Sequence, residues 1–141
     1  MKQILKYLLS TITILLCLTA IAQQKPLAQL QQQFVDLRFG MFIHFNIPTY
    51  MNQDWADPEA KPAIFNPTKL DCDQWAKAAK SANMTYGCLT TKHHSGSCIW
   101  DTKTTDYNVM HSPYKKDVVR KFVDAFRKNG LKVMLYYSIL D

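Results

Sequence analysis

Hydrophobic residues fall along this chain in three rhythms, and each predicts a different kind of element. The first is a nearly unbroken apolar stretch over 7–18, preceded by Lys2 and Lys6 and followed by Ala20-Ile21-Ala22, a small-x-small cleavage site. That is the anatomy of a signal peptide over 1–22. A membrane-spanning helix needs about 20 predominantly apolar residues, so an uncleaved anchor is the lesser reading. Cys17 follows Leu16 rather than a small residue, which argues against a lipid-modified cysteine.

The second rhythm is the three-and-four spacing of amphipathic helices. Leu30, Phe34 and Leu37 predict a short helix over 29–37, after a Gln-rich leader. Trp75, Ala78, Ala79 and Ala82 predict the inner side of a second helix, capped by Asp71 or Asp73 and ended by Asn83. Val118, Val119, Phe122, Val123 and Phe126 predict a third, begun by Asp117 and stopped by Asn129-Gly130, because glycine readily takes the left-handed conformation a helix stop requires.

The third rhythm is the short apolar run. Phe39, Met41, Phe42 and Ile43, punctuated by Gly40, predict a strand over 38–45 covered on both faces, as in parallel sheets. A second strand is predicted over 84–92. A third, over 132–138, turns Met134, Tyr136 and Ser138 one way and Val133, Leu135 and Tyr137 the other. Between 46 and 67, Pro48, Pro58, Pro62 and Pro67 oppose regular structure and predict a long connection, tied down by Tyr50, Trp55 and Phe65. Strand, helix, strand, helix, strand implies an α/β fold with a parallel sheet and right-handed crossovers. An open doubly wound sheet and a closed barrel both satisfy that pattern, but the first connection carries no glycine-rich phosphate loop, which disfavours a dinucleotide fold.

Charge and cysteines change this picture little. The formal net charge of +6 falls to +4 once Lys2 and Lys6 leave with the signal segment. The remaining lysines are spread through the helices rather than gathered into a nucleic-acid footprint. Cys72, Cys88 and Cys98 are odd in number and spaced like neither a zinc knuckle nor a disulfide framework, so in an exported protein at least one is buried, free or paired elsewhere. The segment 23–141 is about the size of one small domain and ends straight out of an apolar strand, which predicts an N-terminal fragment of a larger one.

Candidate chemistry gathers at the strand ends. His44 closes the first run, His93 and His94 close the second before Ser95-Gly96-Ser97, and Tyr136 lies near the end of the third. Barrel enzymes place their active groups where strands end and loops begin. One such histidine is more often a hydrogen-bonded structural residue, but coincidence on three strands reverses that preference. A shared metal is disfavoured. Adjacent side chains on a strand point to opposite faces unless a turn begins between them, and no carboxylate or thiolate stands at ligand-like spacing. No metal or other cofactor is therefore expected. A Cys–His nucleophile is disfavoured because Cys88 falls within an apolar strand, where thiols are inert. Neutral imidazoles both donate and accept, which suits sugar hydroxyls, and the faces of Trp55, Trp100 and Tyr136 would supply apolar walls of a small polyol pocket. For each tryptophan alone, loop anchoring is an equal reading.

These residues stand in ordered motifs: Arg38-Phe39-Gly40-Met41-Phe42-Ile43-His44-Phe45, Ile64-Phe65-Asn66-Pro67, Leu89-Thr90-Thr91-Lys92-His93-His94, Trp100-Asp101-Thr102-Lys103, Thr105-Asp106-Tyr107-Asn108-Val109, and Gly130-Leu131-Lys132 running on to Leu135-Tyr136-Tyr137-Ser138. In that order they resemble the N-terminal part of the family 29 α-L-fucosidases. The resemblance implies a partial (β/α)8-like TIM barrel, about the first three strands only, in an exported enzyme that removes terminal α-L-fucose from glycans with retention of configuration. It implies fucose-pocket roles for His44, Trp55, His93, His94 and Tyr136. It also implies a nucleophile and an acid/base beyond Asp141, so that this segment alone is inactive.

Two departures from the family pattern stand out. Asp54 replaces the commoner Glu before the pocket tryptophan, a shorter carboxylate reaching for the same sugar. Ser95-Gly96-Ser97 replaces Asp-Gly-aromatic after the histidine pair. Both departures, with the missing half of the domain, keep open a rival, a non-catalytic or degenerate fucose-binding protein. His44-Phe45-Asn46 and the proline-rich loop resemble the branch acting on branched α-1,3/1,4-fucosides. The implied partner is a fucosylated glycan, with no nucleic acid and no stable membrane insertion after signal cleavage.

Overall fold

The computed structural model describes residues 3, 25–55 and 57–139, so the predicted signal segment over 1–22, apart from Gln3, lies outside the described residues. No helix among them is long and apolar enough to cross a membrane. The chain divides between Asp36 and Leu37 into two compact units. In the first, helix α1 (Leu27–Val35) starts two residues before the predicted 29–37 and buries none of its residues. Leu30 and Phe34 are exposed. Their spacing correctly marks a helix but not a buried face, since an apolar stripe is covered only where a partner meets it.

The second unit is built on a parallel three-stranded sheet of β1 (Gly40–Ile43), β2 (Tyr86–Lys92) and β3 (Lys132–Tyr137), in the order β1-β2-β3. The first crossover carries helices α2 (Ile47–Met51) and α3 (Cys72–Ser81), and the second carries α4 (Val118–Lys128). In register, Met41 lies beside Gly87 and Gly87 beside Val133, while Phe42, Cys88 and Met134 form the next row on the opposite face. Helices α3 and α4 pack on the first of these faces. A Cβ on Gly87 would stand 2.1 Å from Phe126 Cε1 of α4, so this glycine is what lets helix and strand approach.

Helix α4 fulfils its pattern. Asp117 Oδ1 accepts from the Arg120 N–H at 2.7 Å, satisfying one of the donors that a helix start leaves orphaned. Val118, Phe122, Ala125 and Phe126 are buried, with the Phe122 and Phe126 rings 4.2 Å apart. Gly130, at φ +73°, ends the helix as predicted. In α3 the cap is Asp71, whose Oδ1 accepts from Asp73 and Gln74, both at 3.0 Å. The buried side matches the predicted one in part: Ala79 is buried and Trp75 packs against the core, but Ala78 and Ala82 are exposed, and Cys72 and Ala76 face inward in their place. Alanines on every side blur the stripe, and the i, i+4, i+7 set led by Cys72 decides the rotation.

Two further expectations are corrected. Strand β1 is not covered on both faces. Phe39 and Phe42 are about half exposed, and Met41 and Ile43 alone of its residues pack against the core. Its unbroken apolar run reflects two apolar faces, of which the helices cover one. The connection 46–67 is also less irregular than its prolines suggest. It contains α2 and a 3₁₀ turn at Pro62–Ile64. Pro48 and Pro62 fall in first turns, where the missing N–H has no intrahelical acceptor to lose. Asn46 anchors α2: its Oδ1 accepts from the Ile47 N–H at 2.8 Å, its own N–H donates to Thr49 Oγ1 at 3.3 Å, and its Nδ2 donates to the Ser97 carbonyl at 3.2 Å.

Candidate functional site

The C-terminal ends of all three strands lie together, and the chemistry-bearing side chains start there. His44 follows β1 directly, on the face shared by Phe42, whose ring is 4.6 Å away, and Tyr136, at 6.4 Å. Its Nδ1 lies 3.4 Å from Thr90 Oγ1 of β2. His93 follows β2, with its ring 5.6 Å from that of His44 and 4.6 Å from that of His94. From the first crossover Trp55 reaches over and stacks on His94, centroids 5.4 Å apart and planes within 15°. Asp54 lines a cavity of about 270 Å³ together with His44, Thr90, His93, Asn46 and Gln53. All six residues singled out from the sequence thus stand at one rim.

The adjacent histidines converge because the strand stops at Lys92. The Gly96 N–H donates to the His93 carbonyl at 3.0 Å, so the turn opens at His93 and strand alternation no longer applies. Among the described residues no three His, Cys, Asp or Glu side chains gather as a metal would need. Burial, followed by the neighbouring His94 and His44 imidazoles, holds His93 below the ordinary histidine value. At neutral pH it is therefore a neutral ring, able to donate at one nitrogen and accept at the other. Its Nδ1 is buried without a hydrogen-bond partner among the described residues, as are Ser95 Oγ and Tyr107 Oη nearby in the sequence.

The three cysteines described are free. Burial pushes the Cys88 and Cys98 thiols up, and that of Cys72 to about 11, so none supplies a thiolate nucleophile at neutral pH. Of the two readings of Trp100, the position of its ring 6.1 Å from that of Tyr137 fits loop anchoring. Four residues join the site without having been assigned to it, Asn46, Gln53, Thr90 and Ser138. Ser138 Oγ lies 2.6 Å from His94 Nδ1. The signal for Ser138 was its place in the alternation Met134, Tyr136, Ser138.

Against known proteins, the sequence model of the α-L-fucosidase family matches residues 19–141. The chain belongs to the α-L-fucosidase family. This family member is 38% identical over 116 residues to α-L-fucosidase 1 of Arabidopsis thaliana, covering 80% of this chain and 22% of that protein. Its structure is similar to that of a glycoside hydrolase 29 family member from an unknown rumen bacterium, with a TM-score of 0.74 and 41% identity over 76% of this chain and 20% of the other. It is also similar to a family 29 α-L-fucosidase from Bacteroides thetaiotaomicron, trapped as a covalent intermediate with 2-fluoro-fucosyl fluoride. There the TM-score is 0.70 and the identity 33%, over 78% of this chain and 30% of the other. This chain thus spans between a fifth and a third of the length of these relatives.

Proposed function

We propose that this chain is the pocket-bearing N-terminal part of an exported α-L-fucosidase, which removes terminal α-L-fucose from glycans with retention of configuration. The observation that carries the reading is the ring cluster of His44, His93, His94, Tyr136 and Trp55, brought together by three parallel strands and one crossover at one rim, where His44 and His93 line a cavity of about 270 Å³. Neutral imidazoles and a phenol offer donors and acceptors to hydroxyls, and the indole offers a face to the apolar side of a sugar ring. The sheet is read as the first three strands of a (β/α)8 barrel, whose active groups belong at this end.

A retaining mechanism needs two carboxyl groups about 5–5.5 Å apart, one attacking the anomeric carbon and one protonating the leaving oxygen. Asp54 is the single carboxylate among the residues lining the cavity. It is assigned to a sugar hydroxyl, and the nucleophile and acid/base are assigned to sequence after Asp141. Retention is supported by the covalent intermediate trapped in the Bacteroides relative. Export rests on the 1–22 segment, with cleavage after Ala22. The test is release of nitrophenol from an aryl α-L-fucoside by the complete gene product, with the anomer formed first read by NMR. Turnover yielding α-L-fucose first is expected; a β-anomer first would exclude retention.

A second reading, fucose binding without turnover, is favoured by Asp54 and Ser95-Gly96-Ser97 standing where the family pattern differs, with Ser95 Oγ buried and without a hydrogen-bond partner among the described residues. Calorimetric binding of L-fucose by a complete gene product that leaves the aryl fucoside intact would select it.

A further inference from the structure

We propose that Ser138 is a positioning residue that fixes the ring orientation and tautomer of His94; its consequence for sugar affinity rests on the pocket reading above. Ser138 is the first residue after β3 and is 3% exposed. Its backbone N–H donates to the Lys92 carbonyl at 3.0 Å, which extends the ladder between β2 and β3 past the register irregularity at Thr90 to Lys92. The serine is therefore fixed to the strand from which the histidine turn departs. From there its Oγ meets His94 Nδ1 at 2.6 Å, while Trp55 stacks on the ring face.

An indole stack restrains the plane of an imidazole but leaves the ring free to turn over within that plane. A hydroxyl on Nδ1 removes that freedom. A hydroxyl can donate to Nδ1 or accept from it, so the tautomer follows the direction in which the buried Ser138 hydroxyl is held rather than the contact alone. Nε2 is then the nitrogen left to meet a ligand. The other two histidines lack an equal restraint. His44 Nδ1 has its hydroxyl at 3.4 Å, and His93 Nδ1 has no partner among the described residues. His94 is the imidazole of the cluster whose single orientation is built into the fold, and Ser138 builds it.

The test compares wild type, Ser138→Ala and Ser138→Thr in the complete gene product, by side-chain ¹⁵N NMR of the histidines and by aryl-fucoside kinetics. The expected result is one His94 tautomer in wild type and in the threonine variant, and tautomer averaging in the alanine variant. KM should rise on the order of tenfold in Ser138→Ala, the scale of one lost hydrogen bond, with kcat moved far less and threonine restoring it. An alanine variant with wild-type ¹⁵N shifts and KM overturns the inference. If that variant does not fold, the wild-type spectrum decides: an averaged His94 overturns the proposal, and a single tautomer together with wild-type KM in Ser138→Thr supports it. A wild-type protein that neither binds nor cleaves fucosides refutes the pocket reading, while the ¹⁵N comparison still judges Ser138.

Discussion

Neighbouring residues of β2 live in opposite surroundings. Gly87 and Leu89 turn toward α3 and α4, where Leu89 is fully buried and Gly87 has no room for a methyl group. Cys88 and Thr90 turn toward the other face, which carries half-exposed Phe42 and ends in the ring cluster. The first face is apolar, and its interactions are dispersion and exclusion of water, so volume there is tightly constrained. At its upper end the second carries hydroxyls and imidazoles whose bonds orient groups rather than hold the sheet together. Core packing and the proposed sugar recognition are thus a single step apart along one strand, and substitutions on the two faces should fail in different ways.

The largest expected effect is on the packed face. Phe126 is fully buried against Phe122 and over Gly87. Phe126→Ala should cost about 3–5 kcal/mol of unfolding free energy, measured by urea denaturation of the complete gene product, while the folded fraction keeps its fucoside KM. A cost well under that range would mean that this face is not the packed one.

Gly87→Ala sharpens the same contrast from the opposite direction. The added Cβ meets the Phe126 ring at 2.1 Å, so ring or strand must shift, at a cost of about 1–3 kcal/mol. Combining it with Phe126→Leu should recover part of that loss, because the two sites share one volume. Strict additivity in the double variant would contradict the close approach.

How much of this was legible beforehand depends on whether a residue acts through spacing or through position in space. Val118, Phe122 and Phe126 repeat at helical intervals and Asp117 precedes them, so α4 could be read directly. The inner side of α3 could be read only in part, since Ala76 and Ala78 differ in nothing but place. His44, His93, His94 and Tyr136 were readable as strand-end residues. That the two adjacent histidines point together was not, because it depends on the turn opening at His93 rather than later. Trp100 and Trp55 have similar loop surroundings in the sequence, yet one sits beside Tyr137 and the other on His94. Ser138 showed its face by alternation with Tyr136, but its partner lies 44 residues away across a strand pair.

On the open face the expected effect is smaller in energy and different in kind. His44→Phe keeps a ring beside Phe42 and Tyr136 but removes both nitrogens. It should leave unfolding free energy within about 0.5 kcal/mol of wild type, as for substitutions outside packed cores. KM for an aryl fucoside should rise about two- to tenfold, the scale of one lost hydrogen bond. A large loss of stability with KM unchanged would reverse the assignment of the two faces.

The smallest effect separates the faces by pH. His93 lies below its ordinary value of 6.5 because of burial first, then the facing His94 and His44 imidazoles. The unfolded chain has no such environment, so as pH falls below about 6.5 it takes up a proton before the folded protein does. His93's contribution to stability is therefore complete above that pH. It declines as pH falls toward the lowered folded value and levels off once the folded ring is protonated as well. His93→Gln should make the decline of Tm shallower in that window and leave the slope above pH 7 untouched, read by thermal melts across a pH series. The same window should weaken sugar binding in wild type, since protonated His93 can no longer accept a hydroxyl proton. A packed-face substitution such as Gly87→Ala should instead lower Tm by the same amount at every pH, because no proton is taken up or released there. Parallel pH profiles for both variants would erase the distinction between the two sides of β2.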